Sequence, residues 1–153
     1  MKNAMLNAAR FLVICQTVIV PPLLLSAPAL AEDEREPAVR TAAEREFVLG
    51  QMRLFLGSIQ TILTAAAGGD MKTIATEAAA RGRKGTPASS IPPNMKAKET
   101  AGWTSLMGGV RSGFDSVADA AASGATPQDI TGRVGEVMRN CVACHQSYRL
   151  VQE

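Results

Sequence analysis

The sequence predicts an all-α fold, an antiparallel bundle of four helices. In the first and last predicted helices, apolar residues recur at alternating steps of four and three residues, the spacing of a bundle seam. Clusters of glycine and proline divide the chain into four helical stretches. Aromatic residues make up only 4% of the chain whereas alanine is abundant, and this composition favours helices over strands.

Residues 1–31 have the organisation of a cleaved secretory signal peptide. Lys2 and Arg10 form a basic region ahead of an apolar run over residues 11–25, and Ala29 and Ala31 form a small-x-small cleavage site. Cleavage there leaves residues 32–153 as one bundle domain of ordinary size, exported to the periplasm.

A retained membrane anchor and lipid attachment at Cys15 are the alternatives to a cleaved signal. The apolar run is short of the ~20 residues that a membrane span needs, and Pro21 and Pro22 break it. Residues 12–14 lack the small side chains that a lipidation site prefers. We therefore expect no stable membrane anchor after cleavage. We also expect no nucleic-acid binding, because the chain is formally neutral without the basic residues of the signal.

The first two helices are bounded by glycines. The first spans residues 37–67 and ends at a glycine pair. Its apolar seam consists of Val48, Met52, Phe55, Ile59, Ile62 and Ala66. The second covers residues 71–81, with Asp70 as N-cap and Gly82 as the stop. A loop rich in glycine and proline then extends to residue 94.

The third predicted helix spans residues 96–123 and contains internal glycines. Its apolar face consists of Trp103, Leu106, Val110, Phe114, Val117 and Ala121. Gly108, Gly109 and Gly113 each cost about 1 kcal/mol relative to alanine inside a helix. They indicate either a kink or a close approach to another helix or a bound group, and we favour close approach.

The fourth predicted helix has the clearest start signal in the chain. Thr126 is the N-cap, Pro127 takes the first helical position and Asp129 lies in the first turn. The seam consists of Ile130, Val134, Val137, Cys141, Cys144 and Tyr148. Two cysteines thus occupy core positions of the bundle.

Residues 141–145, Cys-Val-Ala-Cys-His, form the attachment sequence for c-type haem. Cys141 and Cys144 lie about one helical turn apart, so both thiols can add to the vinyl groups along one porphyrin edge. His145 is then placed to bind the iron as proximal ligand. The sequence predicts one covalently bound haem c per chain, near the C-terminus and inside the bundle. Export fits this prediction, since haem is attached to reduced cysteines outside the cytoplasm.

Two other sites share the C-x-x-C spacing. A thioredoxin-type redox pair wants a βαβ setting and a cysteine at a helix N-terminus, whereas these cysteines come late in a helical stretch. A zinc site needs a fourth ligand, and His145 is the only histidine. A Cys2His site completed by a carboxylate stays open as an unusual alternative.

Residues 141–149, C-V-A-C-H-Q-S-Y-R, resemble the C-x-x-C-H-x-x-Y-R ending of class II c-type cytochromes. This family comprises the cytochromes c′ and c-556, which are four-helix bundles with haem attached near the C-terminus. A methionine in the first helix, a Pro-rich loop and Trp103 extend the resemblance over residues 32–153. The chain departs from the family at Val48, where an arginine is usual, and no Phe closely follows Trp103.

The resemblance implies that Met52 takes the place of the axial methionine of low-spin c-556 members. In cytochromes c′ the side chain at this place blocks the iron without binding it, and a seam methionine also fills core gaps. Both roles stay open for Met52. Ligation by two histidines within one chain is excluded, because His145 has no counterpart. The other methionines considered are Met71, Met95, Met107 and Met138.

Each role of Met52 implies a function. Bound to the iron opposite His145, it gives a low-spin single-haem electron carrier that serves redox partner proteins of a periplasmic electron-transfer chain. Unbound, it leaves a five-coordinate iron that takes NO or CO, as in cytochromes c′. An enzyme is not expected, because no second histidine is present and carboxylates such as Glu136 fall on a solvated face.

Two basic features have two interpretations each. Arg149, one turn after His145, either lies near the proximal imidazole or pairs with a haem propionate or solvent. Residues 81–84 either dock an acidic redox partner or are simply solvated. A homodimer through the first two helices, as in cytochromes c′, is neither required nor excluded by Arg53 and the Ala-rich second helix.

Overall fold

Four α-helices, two 3₁₀ turns and a two-stranded sheet make up residues 32–153, the part of the chain that the computed structural model describes. In chain order these are β1 (Glu36–Arg40), α1 (Ala42–Ala67), α2 (Met71–Arg81), the 3₁₀ turns Ala88–Ser90 and Met95–Lys98, α3 (Ala101–Ala122), α4 (Pro127–Ser147) and β2 (Tyr148–Gln152). The predicted signal peptide over residues 1–31, with Cys15, lies outside the described residues. The helical fold class is confirmed, and the small sheet is an addition to the all-α prediction.

The predicted starts of the second and fourth helices are confirmed. Asp70 Oδ1 accepts a hydrogen bond of 3.0 Å from the backbone N–H of Thr73. Thr126 and Asp129 form a capping box, and Pro127 opens α4. The first N–H groups of a helix have no helical partner, so these side chains decide where each helix begins.

The first helix begins later than predicted, because a capping box fixes its start at Thr41. The Glu44 N–H donates to Thr41 Oγ1, while the Glu44 carboxylate accepts from the Thr41 N–H at 2.8 Å. The residues ahead of Thr41 form β1 instead. This strand pairs in parallel with β2, with Glu36 opposite Tyr148. No local sequence pattern predicts this pairing, because the two strands lie at opposite ends of the described chain.

The fourth helix ends at Ser147, one residue earlier than its predicted seam requires. Tyr148 has an extended backbone and begins β2, although its N–H still donates to the Cys144 carbonyl. Arg149 therefore belongs to a strand, and the expectation that it follows His145 on a helical turn is wrong. Pairing with β1 satisfies backbone groups here that a further helical turn would have satisfied.

The four helices share one apolar core. α3 packs against α2 and α4, and α1 packs against α2 and α4. Fully buried members of this core are Ile62, Ile74, Phe114, Val117 and Ile130. A second, smaller cluster consists of Ala38, Val48, Met95, Trp103 and Cys144. The predicted seams thus face the core, and the cysteine motif lies where the two clusters meet.

The third helix begins at Ala101 rather than residue 96, after Thr100 accepts a hydrogen bond from the Trp103 N–H. Its internal glycines mark a close approach to α4. A Cβ on Gly113 would lie 2.7 Å from Val137 Cγ2, and one on Gly109 would meet the Asn140 side chain. Close contact between helices thus explains two of the three glycines.

Gly113→Ala is expected to destabilise the fold by about 1–3 kcal/mol, because its methyl group overlaps Val137. Gly108 supplies the matched control in the same helix, since a Cβ there meets no atom within 4 Å. Gly108→Ala is expected to stabilise by up to about 1 kcal/mol through helix propensity. Urea denaturation of both variants measures the difference. Equal effects would contradict the close approach.

Candidate functional site

Cys141, Cys144 and His145 lie in the last two turns of α4. Cys144 is buried, and Cys141 is half-buried with its Sγ 3.5 Å from the Val137 carbonyl. Both cysteines are free, and burial raises the pKa of each thiol. Reactive redox cysteines have a lowered pKa, often at a helix N-terminus. The raised thiol pKa values and the position of both cysteines near the C-terminal end of α4 disfavour the thioredoxin-type alternative.

The three motif residues line one cavity of about 300 Å³ together with Met52 of α1. Its remaining walls are Arg53, Phe55, Leu56, Ile59, Leu106, Met107, Val110 and Met138. These side chains come from α1, α3 and α4, and Arg53 is the only charged one among them. The arrangement brings sulfur and imidazole donors to the wall of one largely apolar cavity between three helices, and His145 itself is exposed.

Met52 also lines two neighbouring cavities. One, of about 420 Å³, it shares with Cys144 and His145. The other, of about 230 Å³, it shares with Trp103 and Met107. Met52 packs against both core clusters and so stands at their junction. The fold therefore brings Met52 and His145, from different helices, to the walls of the same two cavities.

The other candidate methionines are placed differently. Met107, on α3, lines the cavity that holds His145. Met138 lines it too, but from α4 itself, and is 44% exposed. Met95 is buried in the 230 Å³ cavity, which His145 does not line, and Met71 packs against the larger core cluster. Met52 and Met107 are thus the methionines that line the 300 Å³ cavity from helices other than α4.

Arg149 lies on the wall of the 420 Å³ cavity together with His145. Its Nε donates to the backbone carbonyl of Arg35 at 3.2 Å. Arg35 and Asp33 line this cavity as well, and no motif in the sequence marks them as site residues. Arg35 Nη1 donates to the backbone carbonyl of His145 at 3.1 Å. No local pattern could reveal these contacts, because pairing of β1 with β2 creates them.

The basic stretch over residues 81–84 is partly paired within the chain. Arg83 Nε lies 2.6 Å from Asp115 Oδ2, and Arg81 Nε lies 3.8 Å from Glu77 Oε1. The Arg83 pair ties the loop to α3, whereas the Arg81 pair lies within α2. These pairings favour a structural role over the docking of an acidic partner.

The residues around the cavity fit a covalently attached haem. Two thiols on one helix and an imidazole beside them are the donors that c-type attachment uses. Leu56 and Met138, on the cavity wall, are 69% and 44% exposed, apolar surface that a flat apolar group would cover. Within residues 32–153, no three His, Cys, Asp or Glu side chains are grouped to hold a metal ion.

Comparisons with protein-family models, curated proteins and solved structures find no match to this chain. None of the helices in the described part of the chain is long and apolar enough to span a membrane.

Proposed function

We propose that this chain is a periplasmic class II c-type cytochrome that carries electrons through a single haem c. Cys141 and Cys144 attach the haem, His145 binds the iron, and Met52 is its sixth ligand. One observation carries the proposal: a methionine from α1 lines the same apolar cavity as the two cysteines and the histidine of α4. Met107 and Met138 line this cavity too, but only Met52 of the three also lines the second cavity that contains His145.

Each side chain has a distinct role in this proposal. The haem supplies a one-electron iron couple, and thioether ligation favours its reduced state. His145 is held at the end of α4 and presents its imidazole from that helix. Met52 supplies a sulfur from α1, so both ligands come from rigid elements. Phe55, Ile59 and Val110 exclude water from the site, which lowers the local dielectric.

The proposed fold is the antiparallel four-helix bundle of this family, with the haem enclosed near the C-terminus. Residues 68–70 join α1 to α2 and residues 123–126 join α3 to α4. Such short connections favour antiparallel neighbours. The signal-like residues 1–31 support export, and redox proteins of the periplasm are the expected partners.

A second candidate function is gas binding of the cytochrome c′ type. The 230 Å³ cavity beside Met52 is lined largely by apolar side chains, Trp103 and Met107 among them. Met52 could turn into this space and leave the sixth iron position to NO or CO. The electron carrier is the first proposal, because Met52 lines both cavities that also contain His145.

Visible and near-infrared spectra of the exported protein test the proposal. A haem band that persists on a denaturing gel is expected, because the attachment is covalent. The oxidised protein is expected to be low-spin with the weak far-red band of thioether-bound ferric iron, and the reduced protein should not respond to CO. A high-spin spectrum that changes with CO would support the gas-binding candidate, and absence of covalent haem would refute both.

A further inference from the structure

The segment ahead of β1 reaches across to the end of α4. Arg35 Nη1 donates to the His145 carbonyl at 3.1 Å, and the Arg35 carbonyl accepts from Arg149 Nε at 3.2 Å. Asp33 and Arg35 line the same cavity as His145. Arg35 thus contacts both the last turn of α4, which carries the candidate iron ligand, and the strand β2 that follows it.

Arg35 satisfies a backbone group that the helix leaves without a helical partner. His145 lies in the last turn of α4, where the carbonyls have no N–H four residues ahead to accept from. A guanidinium at this position supplies the missing donor and a positive charge at the negative end of the helix dipole. The contact therefore stabilises the turn that orients the His145 side chain.

Asp33 holds the Arg35 guanidinium in place. Its two carboxylate oxygens accept from Arg35 Nε at 2.9 Å and from Nη2 at 2.7 Å, which leaves Nη1 directed at the His145 carbonyl. These hydrogen bonds lower the pKa of Asp33 to about 2. The carboxylate is therefore ionised at neutral pH, and the pairing is lost only as the pH falls from about 4 toward 2.

Parallel pairing and a buried arginine anchor the segment at its other end. β1 pairs with β2 along its full length, and the Glu153 N–H donates to the Arg40 carbonyl at 3.0 Å. The Arg40 side chain is 1% exposed and lies over the Trp103 ring at 5.0 Å. Trp103 in turn contacts the Tyr148 ring. Arg35 directly precedes β1, so the paired strand fixes its position.

We propose that Arg35 is a positioning residue for His145: it caps the last turn of α4 and so fixes the orientation of the axial imidazole. The inference rests on the proposed haem attachment for its effect on the iron, whereas the capping contact itself does not. Arg35 contacts neither the cavity's thiols nor the imidazole ring by hydrogen bond, so it acts through the backbone of His145.

Arg35→Gln in the exported protein tests this role. Amides of residues 145–148 are expected to exchange with solvent about tenfold faster, while those in the middle of α4 and the urea midpoint stay unchanged. The hyperfine-shifted NMR resonances of the His145 ring should move, and Arg35→Lys should restore part of the shift. Asp33→Asn, which keeps the arginine but frees its guanidinium, should change the same amides in the same direction.

Arg139→Gln is the matched control, because Arg139 pairs with Glu136 on the exposed face of the same helix. It removes the same charge without touching the His145 carbonyl. Unchanged amide exchange at residues 145–148 in Arg35→Gln, or equal shifts of the His145 resonances in both variants, would overturn the inference. A chain without covalent haem would refute the proposed function instead, and the amide measurement would still decide whether Arg35 caps α4.

Discussion

Cys144→Ser is expected to reduce covalently bound haem to near zero. Cys144 is buried, lines both cavities that contain His145 and directly precedes it in sequence, so its thiol is the proposed attachment point next to the proposed iron ligand. A serine hydroxyl does not form a thioether with a vinyl group. Haem staining of a denaturing gel and the intact mass of the exported protein measure the loss.

Cys15→Ser is the matched control for this experiment. It makes the same replacement at the only cysteine outside the motif, within the predicted signal peptide. Haem content is expected to stay at the level of the unchanged chain, because Cys15 lies in the segment predicted to be cleaved. Normal covalent haem in Cys144→Ser would refute the assignment of the motif. Loss of haem in Cys15→Ser would show that the first cysteine is retained and used.

Met52→Leu is expected to convert the low-spin iron to high-spin and to make the reduced protein bind CO. Leucine keeps most of the volume at the junction of the two core clusters, so the replacement removes the sulfur without opening a large cavity. A thioether ligand favours Fe(II) over Fe(III). Its loss is therefore expected to lower the reduction potential by on the order of 0.1 V. Absorption spectra with and without CO, together with a redox titration, measure these changes.

Met138→Leu is the control for Met52→Leu. Met138 lines the same cavity but belongs to α4, the helix that carries His145, so the spectrum should not change. An unchanged low-spin spectrum in Met52→Leu would move the assignment to Met107, which lines the cavity from α3. A spectrum that is high-spin before any replacement would make Met52 a packing residue and favour the gas-binding candidate.

Helix boundaries show which structural signals are local. Asp70 and Thr126 cap α2 and α4 as predicted, because a cap acts on backbone groups only three residues ahead. The predicted start of α1 at residue 37 was wrong by several residues. Thr41 and Glu44, which form the capping box at the true start, are nevertheless visible in the sequence. The expected close approach at the α3 glycines is found at Gly109 and Gly113 but not at Gly108, where a Cβ would meet no atom within 4 Å.

The pairing of β1 with β2 had no comparable signal. Glu36 and Tyr148 become partners only when the bundle brings the two ends of the described chain together. Strand propensity depends on neighbours across the sheet and is weak in an isolated segment. The contacts of Arg35 with His145 and Arg149 follow from this pairing, so they were beyond prediction for the same reason.

By itself, the sequence determined the helical fold class, the caps of α2 and α4, and the placement of Cys141, Cys144 and His145 at the end of one helix. These properties depend on spacings within a few residues along the chain. Only the tertiary structure decided that Met52 shares two cavities with His145, that Met107 shares one of them, and that Arg35 donates to the His145 carbonyl. These contacts join separate elements, and packing rather than local spacing sets the distances between them.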